Sequence, residues 1–132
     1  MSIKTIFKYI IIWQIAIIII TRLAGLFLPL QETYIGGATQ AYVENPLLYS
    51  RANFDGNHYL TIARRGYGYA QQAFFPLYPI LIRVGSIFTF GNLLISALLI
   101  ANMAFLLGLI IFNKLISQVY DQKVAFWSSV FL

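Results

Sequence analysis

The chain has 132 residues, of which 60% are hydrophobic and only 10% are charged. Soluble globular domains carry about 25% charged residues, so this composition excludes an ordinary soluble domain and favours a membrane protein. The net charge of +5 comes from lysines and arginines scattered along the chain. Without a dense basic tract it argues against nucleic acid as a partner. Cysteine is absent, so neither a disulfide framework nor a thiolate metal site is expected.

The first predicted element is a membrane span from about Tyr9 to Leu30. About 20 apolar residues, each rising about 1.5 Å, cross a hydrocarbon core of about 30 Å. Lys4 and Lys8 precede the run, as they would in a cleaved signal peptide, but such a peptide needs only about 7–15 apolar residues. We therefore expect an uncleaved span. Arg22 lies inside it, and its guanidinium either snorkels to the interface or faces a lipid phosphate.

The next predicted segment, residues 31–72, is a mixed polar loop with turn signals such as Asn45-Pro46. Within this loop, residues 55–65 are predicted to form a short amphipathic helix. The apolar strip of that helix comprises Tyr59, Ile62 and Ala63. An acid at its start and two arginines at its end suit the helix dipole. One interpretation of these charges is therefore a capped helix on the membrane surface.

Two further helices are predicted after the polar loop. Residues 74–90 are apolar but interrupted by prolines, which predicts an interfacial helix from about Leu77 to Phe88. Residues 93–116 form a second span, in which Ser96 and Asn102 are expected to hydrogen-bond between helices. Small residues that permit close helix contact are Ser96, Ala97, Ala101, Ala104 and Gly108.

Residues 124–132 begin another apolar run that is too short to cross a bilayer. We expect it to be the start of a third span in a longer protein, with an interfacial segment as the alternative. Residues 1–132 are accordingly interpreted as a single partial membrane domain.

The orientation follows from charge near the span ends. Two crossings would bring Lys114 and Lys123 to the same side of the membrane as Lys4 and Lys8. These four lysines equal in number the four arginines between the two spans, so the count alone does not decide the orientation. Because the first span usually dominates and its lysines are unopposed by acids, we expect a cytoplasmic N-terminus. The polar loop then faces the extracytoplasmic side.

Two strings of the central region, FDGNHYLTIARRGY and AFFPLYPILIR, occur in this order. Together they resemble the signature of the PIG-V family, also named GPI mannosyltransferase 2, and of its bacterial relatives. The matching residues are Asp55, His58, Tyr59, Ile62, Ala63, Gly66 and Tyr67 in the first string and residues 73–79 in the second. Phe54 departs from the tryptophan usual there, and Gln71 and Gln72 stand where eukaryotic members tend to carry a glutamate.

The resemblance implies an all-α, multi-span C-type glycosyltransferase of the bacterial inner membrane or the ER membrane. It would transfer a hexose, mannose by the family name, from a polyprenyl- or dolichyl-phosphate donor to a lipid-linked or glycan acceptor. GPI-anchor biosynthesis is the eukaryotic setting of such a reaction, and envelope glycan assembly is the bacterial one. No cofactor is expected, and a divalent metal held by Asp55 and His58 is a minor alternative.

The resemblance makes Asp55 the catalytic residue. Independently of the family, a carboxylate can take the proton of an acceptor hydroxyl as sugar transfer proceeds. Candidate substrate-binding residues are His58, Arg64, Arg65, Tyr67, Phe75 and Tyr78, and the first three suit a phosphate group. Packing at the membrane boundary is the alternative role for the aromatic residues. A membrane protein that binds a lipid-linked sugar, or assists a partner, without catalysis is the alternative function.

Overall fold

The computed structural model describes residues 3–29 and 39–131, and within these ranges it contains helices and no strand. The all-α prediction is confirmed for this part of the chain. The α-helices are α1 (Ile3–Phe27), α2 (Thr39–Glu44), α3 (Pro46–Tyr49), α4 (Asp55–Arg65), α5 (Leu77–Gly85), α6 (Leu93–Val119) and α7 (Gln122–Val130), and a 3₁₀-helix at Ser86–Thr89 follows α5. The predicted end of the first span at residue 30 and the start of the polar loop lie outside the described residues.

In the part of the chain that the structure describes, two helices are long and apolar enough to cross a membrane, over Lys4–Phe27 in α1 and Leu93–Val119 in α6. α1 begins before the predicted start at about Tyr9, so that both Lys4 and Lys8 lie in the helix. Long lysine side chains permit this, since their alkyl stems follow an apolar helix while the ammonium groups reach water. α6 begins at the predicted residue and continues to Val119.

The short helices of the central region form for local reasons. α4 covers the predicted residues 55–65 and buries Ile62 and Ala63, so the amphipathic interpretation is confirmed. It ends at Gly66, whose φ of +85° glycine adopts without the steric penalty that other residues incur. α5 carries Pro79 in its first turn, where a backbone N–H would have no helical partner in any case.

The chain divides into two units, which we describe separately: Met1–Ile20 with Asn102–Leu132, and Thr21–Ala101. We name them the terminal unit and the central unit. In the terminal unit, Gln14 Nε2 of α1 donates to Asn102 Oδ1 of α6 at 2.8 Å. The expected role of Asn102 as a polar link between helices is confirmed.

The terminal unit also contains the contact of α7 with α6. Asn113 Nδ2 of α6 donates to the Ala125 carbonyl at 3.0 Å and to Ser129 Oγ at 2.8 Å. Asp121 caps α7 by accepting from the Val124 N–H at 2.8 Å. With nine residues, α7 is too short to cross a bilayer.

The central unit has a core at which α4, α5 and α6 meet. Ala63, Ile82 and Ala97 are buried against one another there. Ser96 Oγ of α6 donates to the Ile82 carbonyl of α5 at 2.8 Å, which confirms its predicted role between helices. Of the small residues predicted at helix contacts, Ser96 and Ala97 are buried, whereas Ala101, Ala104 and Gly108 are exposed.

α5 and α6 pack closely at Gly85. A methyl group placed on its Cα would lie 2.5 Å from Ser96 Oγ and 3.0 Å from Ile100 Cδ1. The first distance is shorter than real Cβ contacts and the second is shorter than nine in ten of them, so the absence of a side chain at residue 85 permits this packing. The packing of α5 on α6 in turn fixes the segment that carries the second sequence string.

Candidate functional site

Asp55 is the first residue of α4 and follows a tight turn. Gly56 N–H donates to the Asn53 carbonyl at 3.0 Å, and Phe54 inside this turn has φ 52° and ψ −117°. These angles match the first central position of a type II′ turn, where glycine is preferred. A non-glycine residue at positive φ costs about 1–2 kcal/mol. The turn therefore holds a strained phenylalanine directly before the acid.

The Asp55 carboxylate is exposed at the start of the helix. Phe54 occupies the N-cap position and no side chain caps the helix, so the interpretation of Asp55 as the capping residue is wrong. The helix dipole still favours a negative charge there. Within residues 3–29 and 39–131, no hydrogen bond or ion pair to this carboxylate is found. Its oxygens are thus open to an incoming ligand.

His58 lies one helical turn after Asp55 and is held on two sides. Its imidazole stacks on the ring of Phe74, with 4.9 Å between ring centroids and 27° between planes. Its Nδ1 lies 3.2 Å from Nε2 of Gln71. The side chain of Gln71 is buried, and its Oε1 accepts from the Gly68 N–H at 2.8 Å. The imidazole is therefore fixed by the segment that connects α4 to α5.

An aromatic cluster links this segment to α6. Tyr59 contacts Phe74 and Tyr78 edge to face, with centroid distances of 5.1 and 5.0 Å. The Tyr78 hydroxyl donates to the Ala97 carbonyl at 3.0 Å, and burial, with Tyr59 nearby, raises the pKa of Tyr78 above its usual value. The Tyr67 hydroxyl donates to the Phe74 carbonyl at 2.7 Å. These bonds give the Tyr67 and Tyr78 hydroxyls a clear packing role, and their binding of substrate stays a prediction.

The remaining candidate residues lie farther from Asp55. Arg64 and Arg65 end α4 and are exposed, and at a helical rise of about 1.5 Å per residue they lie about 14 Å along the axis from the acid. A substrate that contacts both Asp55 and these arginines therefore has to extend along α4. Phe75 is 72% exposed and contributes apolar surface on the same segment.

Two other features of the described residues bear on ligands. No group of three His, Cys, Asp or Glu side chains that could hold a metal occurs among the described residues. A cavity of about 400 Å³ is lined by α1, α2, α3 and Leu28, with Arg22 and Tyr42 in its wall, and by none of the residues around Asp55. Contact of Arg22 with a lipid phosphate stays a prediction.

The two sequence strings thus form one structural site, built on α4 and on the segment from Tyr67 to Tyr78. Residues 2–132 match a family model described as Mannosyltransferase (PIG-V). The chain belongs to the PIG-V mannosyltransferase family. No curated protein and no solved structure matches the chain. The resemblance inferred from the sequence is therefore confirmed.

The PIG-V family assignment carries coarse conclusions about activity and location. A mannosyltransferase acts on a sugar donor and an acceptor, so these are the partners of the chain in general terms. The family assignment, together with the two long apolar helices, indicates that the chain is a membrane protein.

One residue of the site was not predicted. Gln71 was noted only as a departure from the family pattern, yet it is buried and bonds both His58 and Gly68. Its partners are three and thirteen residues away in the chain, and no regular periodicity links them. The sequence signal that points to Gln71 is the replacement of a family glutamate by an uncharged amide in a chain with a single histidine, His58.

Proposed function

We propose that the protein transfers mannose, or a similar hexose, from a polyprenyl-phosphate donor to a lipid-linked or extracytoplasmic acceptor. The family assignment supports a mannosyltransferase. The observation on which the proposal rests is the exposed Asp55 carboxylate, without a described partner, at the start of α4. An open carboxylate in this family's central motif is well suited to act on a substrate.

The proposed reaction needs a single protein base. The bond between the anomeric carbon and the phosphate oxygen breaks, and its electron pair stays on the phosphate. The acceptor oxygen forms the new bond to that carbon, and its proton passes to the Asp55 carboxylate. A phosphate monoester leaves as a stable anion, so no general acid has to protonate it. His58, Arg64 and Arg65 supply donors for phosphate oxygens.

The experiment replaces Asp55 by asparagine, which keeps the size of the side chain but removes its basicity. Transfer from mannosyl-phospho-polyprenol, measured in membranes containing the protein, is expected to fall about 10²–10⁴-fold, the contribution typical of a general base. Asp121→Asn is the matched control: Asp121 also lies exposed at the start of a helix, and asparagine caps helices as well as aspartate does. Near-normal transfer by Asp55→Asn, with insertion intact, would exclude Asp55 as the base.

We further propose that α1 and α6 cross the membrane with the N-terminus cytoplasmic, which puts residues 39–90 outside. Lys4 and Lys8 at the start of α1 support this orientation. The chain has no cysteine, so one introduced cysteine reports one position. Gln72→Cys is expected to react with an impermeant maleimide outside intact cells, and Lys4→Cys only after permeabilisation. Both side chains are exposed. The opposite pattern would place Asp55 in the cytosol and contradict the proposal.

A further inference from the structure

The buried amide of Gln71 determines which nitrogen of His58 carries the proton. A backbone N–H can only donate, so the Gln71 atom 2.8 Å from the Gly68 nitrogen has to be the accepting oxygen, Oε1. The amide nitrogen, which can only donate, then faces His58 Nδ1 at 3.2 Å. Nδ1 must therefore accept, and in the neutral imidazole the proton lies on Nε2.

The surroundings leave little freedom to reverse this arrangement. Gln71 is 7% exposed, so a rotated amide would bury an unpaired donor opposite the Gly68 N–H, which is costly. The stacking of His58 on Phe74 fixes the plane of the imidazole. His58 is exposed although Gln71 is buried. With Nδ1 engaged by the buried amide, Nε2 is the nitrogen that can meet a ligand.

We propose that Gln71 is a positioning residue that holds His58 as an Nε2–H donor to the departing phosphate of the donor substrate. This inference rests on the function proposed above. Negative charge grows on that phosphate as the sugar leaves, and a pre-oriented N–H stabilises growing charge at no cost of reorganisation. His58 is one helical turn from Asp55, much nearer than Arg64 and Arg65. In this tautomer Nε2 has no free lone pair, so Asp55 and not His58 is the base.

Nitrogen NMR tests the tautomer directly. The chain contains one histidine, so ¹⁵N-histidine labelling of the protein in nanodiscs reports His58 alone. At an alkaline pH where the imidazole is neutral, Nε2 is expected to carry the proton and Nδ1 to be proton-free. A proton on Nδ1 would overturn the inference whatever the activity.

Gln71→Glu is designed to reverse the tautomer. One carboxylate oxygen still accepts from Gly68, but the other now faces Nδ1 as an acceptor, which moves the proton of the neutral imidazole to Nδ1. The turnover number at that pH is expected to fall about tenfold to a hundredfold, the effect of losing a hydrogen bond to a charged group. KM for the donor should change little, because the bond strengthens only in the transition state.

Gln72→Glu is the matched control. It makes the same chemical change at the adjacent residue, which is exposed and donates to the Gly68 carbonyl at 3.3 Å. In this variant the His58 tautomer and the turnover number are expected to be the same as in the unmodified protein. Equal losses from Gln71→Glu and Gln72→Glu, or a switched tautomer with unchanged turnover, would overturn the role in transfer.

A second pair of variants keeps the test decisive if Gln71→Glu fails to fold. In His58→Gln the amide nitrogen takes a place close to that of Nε2, whereas in His58→Asn it takes that of Nδ1. His58→Gln is expected to keep about tenfold more turnover, and an equal loss or the opposite order would contradict the inference. Failure of the proposed function is recognised separately, because Asp55→Asn would then retain transfer while the His58 tautomer stayed as predicted.

Discussion

Buried amides have different roles in the two units. In the terminal unit, Asn113 donates to the Ala125 carbonyl and to Ser129 Oγ, and all three residues are buried. In the central unit, Gln71 bonds a loop N–H on one side and the exposed His58 on the other. The first network joins buried groups of α6 and α7. The second ends on an exposed side chain, His58, for which we propose contact with the donor phosphate.

The comparison shows how a small helical protein separates stability from chemistry. Polar groups that connect helices are paired with one another, because a buried polar group without a partner would be costly. Polar groups that act on a substrate must keep one unused hydrogen-bonding atom. The exposed Asp55 carboxylate and the Nε2 of His58 meet this requirement, and buried or backbone partners hold both residues in place.

The largest effect on stability is expected at Gly85. In Gly85→Ala the new methyl group would meet Ser96 Oγ, which is buried and bonded to Ile82, so the helices must separate or lose that bond. We expect the free energy of unfolding, measured by SDS titration in micelles, to fall by about 1–3 kcal/mol. Because Tyr78 bonds α6 at the same contact, transfer should fall as well.

Gly108→Ala is the corresponding change in the terminal unit. A methyl group there meets no atom within 4 Å, so alanine should be neutral or stabilise α6 by up to about 1 kcal/mol through its helix propensity. Adding Ser96→Ala to Gly85→Ala should recover part of the loss, because the closest atom is removed. Equal changes in the free energy of unfolding for Gly85→Ala and Gly108→Ala would show that α5 and α6 leave room for a methyl group at residue 85.

A smaller effect is expected from Asn113→Ala in the terminal unit. It removes two hydrogen bonds between α6 and α7, and interhelical hydrogen bonds in membranes contribute about 0.6–1.7 kcal/mol. Amide hydrogen exchange of α7 should accelerate about tenfold if about 1.4 kcal/mol is lost. Ser117→Ala is the control, since within the described part of the chain its hydroxyl bonds only the carbonyl of Asn113 in the same helix. An equal acceleration in both variants would mean that Asn113 does not hold α7.

Several features of the site could be predicted from the sequence. The helix predicted over residues 55–65 places His58 one turn after Asp55, as the structure does. α4 was predicted from its apolar strip, and α5 from prolines placed where a helix tolerates them. The bonds of Ser96 and Asn102 were expected because a polar group in an apolar span needs a partner.

Other features could not be read from the sequence. The positive φ of Phe54 is a property of the turn that precedes α4, and aromatic residues do not favour such a conformation. The bond between Gln71 and His58 depends on how the connecting segment folds back beside α4. Nothing in the spacing of these residues indicates which atoms meet.

The sequence alone determined the chemical class of this protein: its long apolar runs predict membrane helices, and the resemblance of its two motifs to the PIG-V family implies a mannosyltransferase. These properties are local, because hydropathy and motif spacing depend on residues close together in the chain. The packing of α4, α5 and α6 decided that Asp55 stays exposed and that the buried amide of Gln71 contacts His58. Such choices depend on which partners burial brings within hydrogen-bond distance, and only the tertiary structure sets those distances.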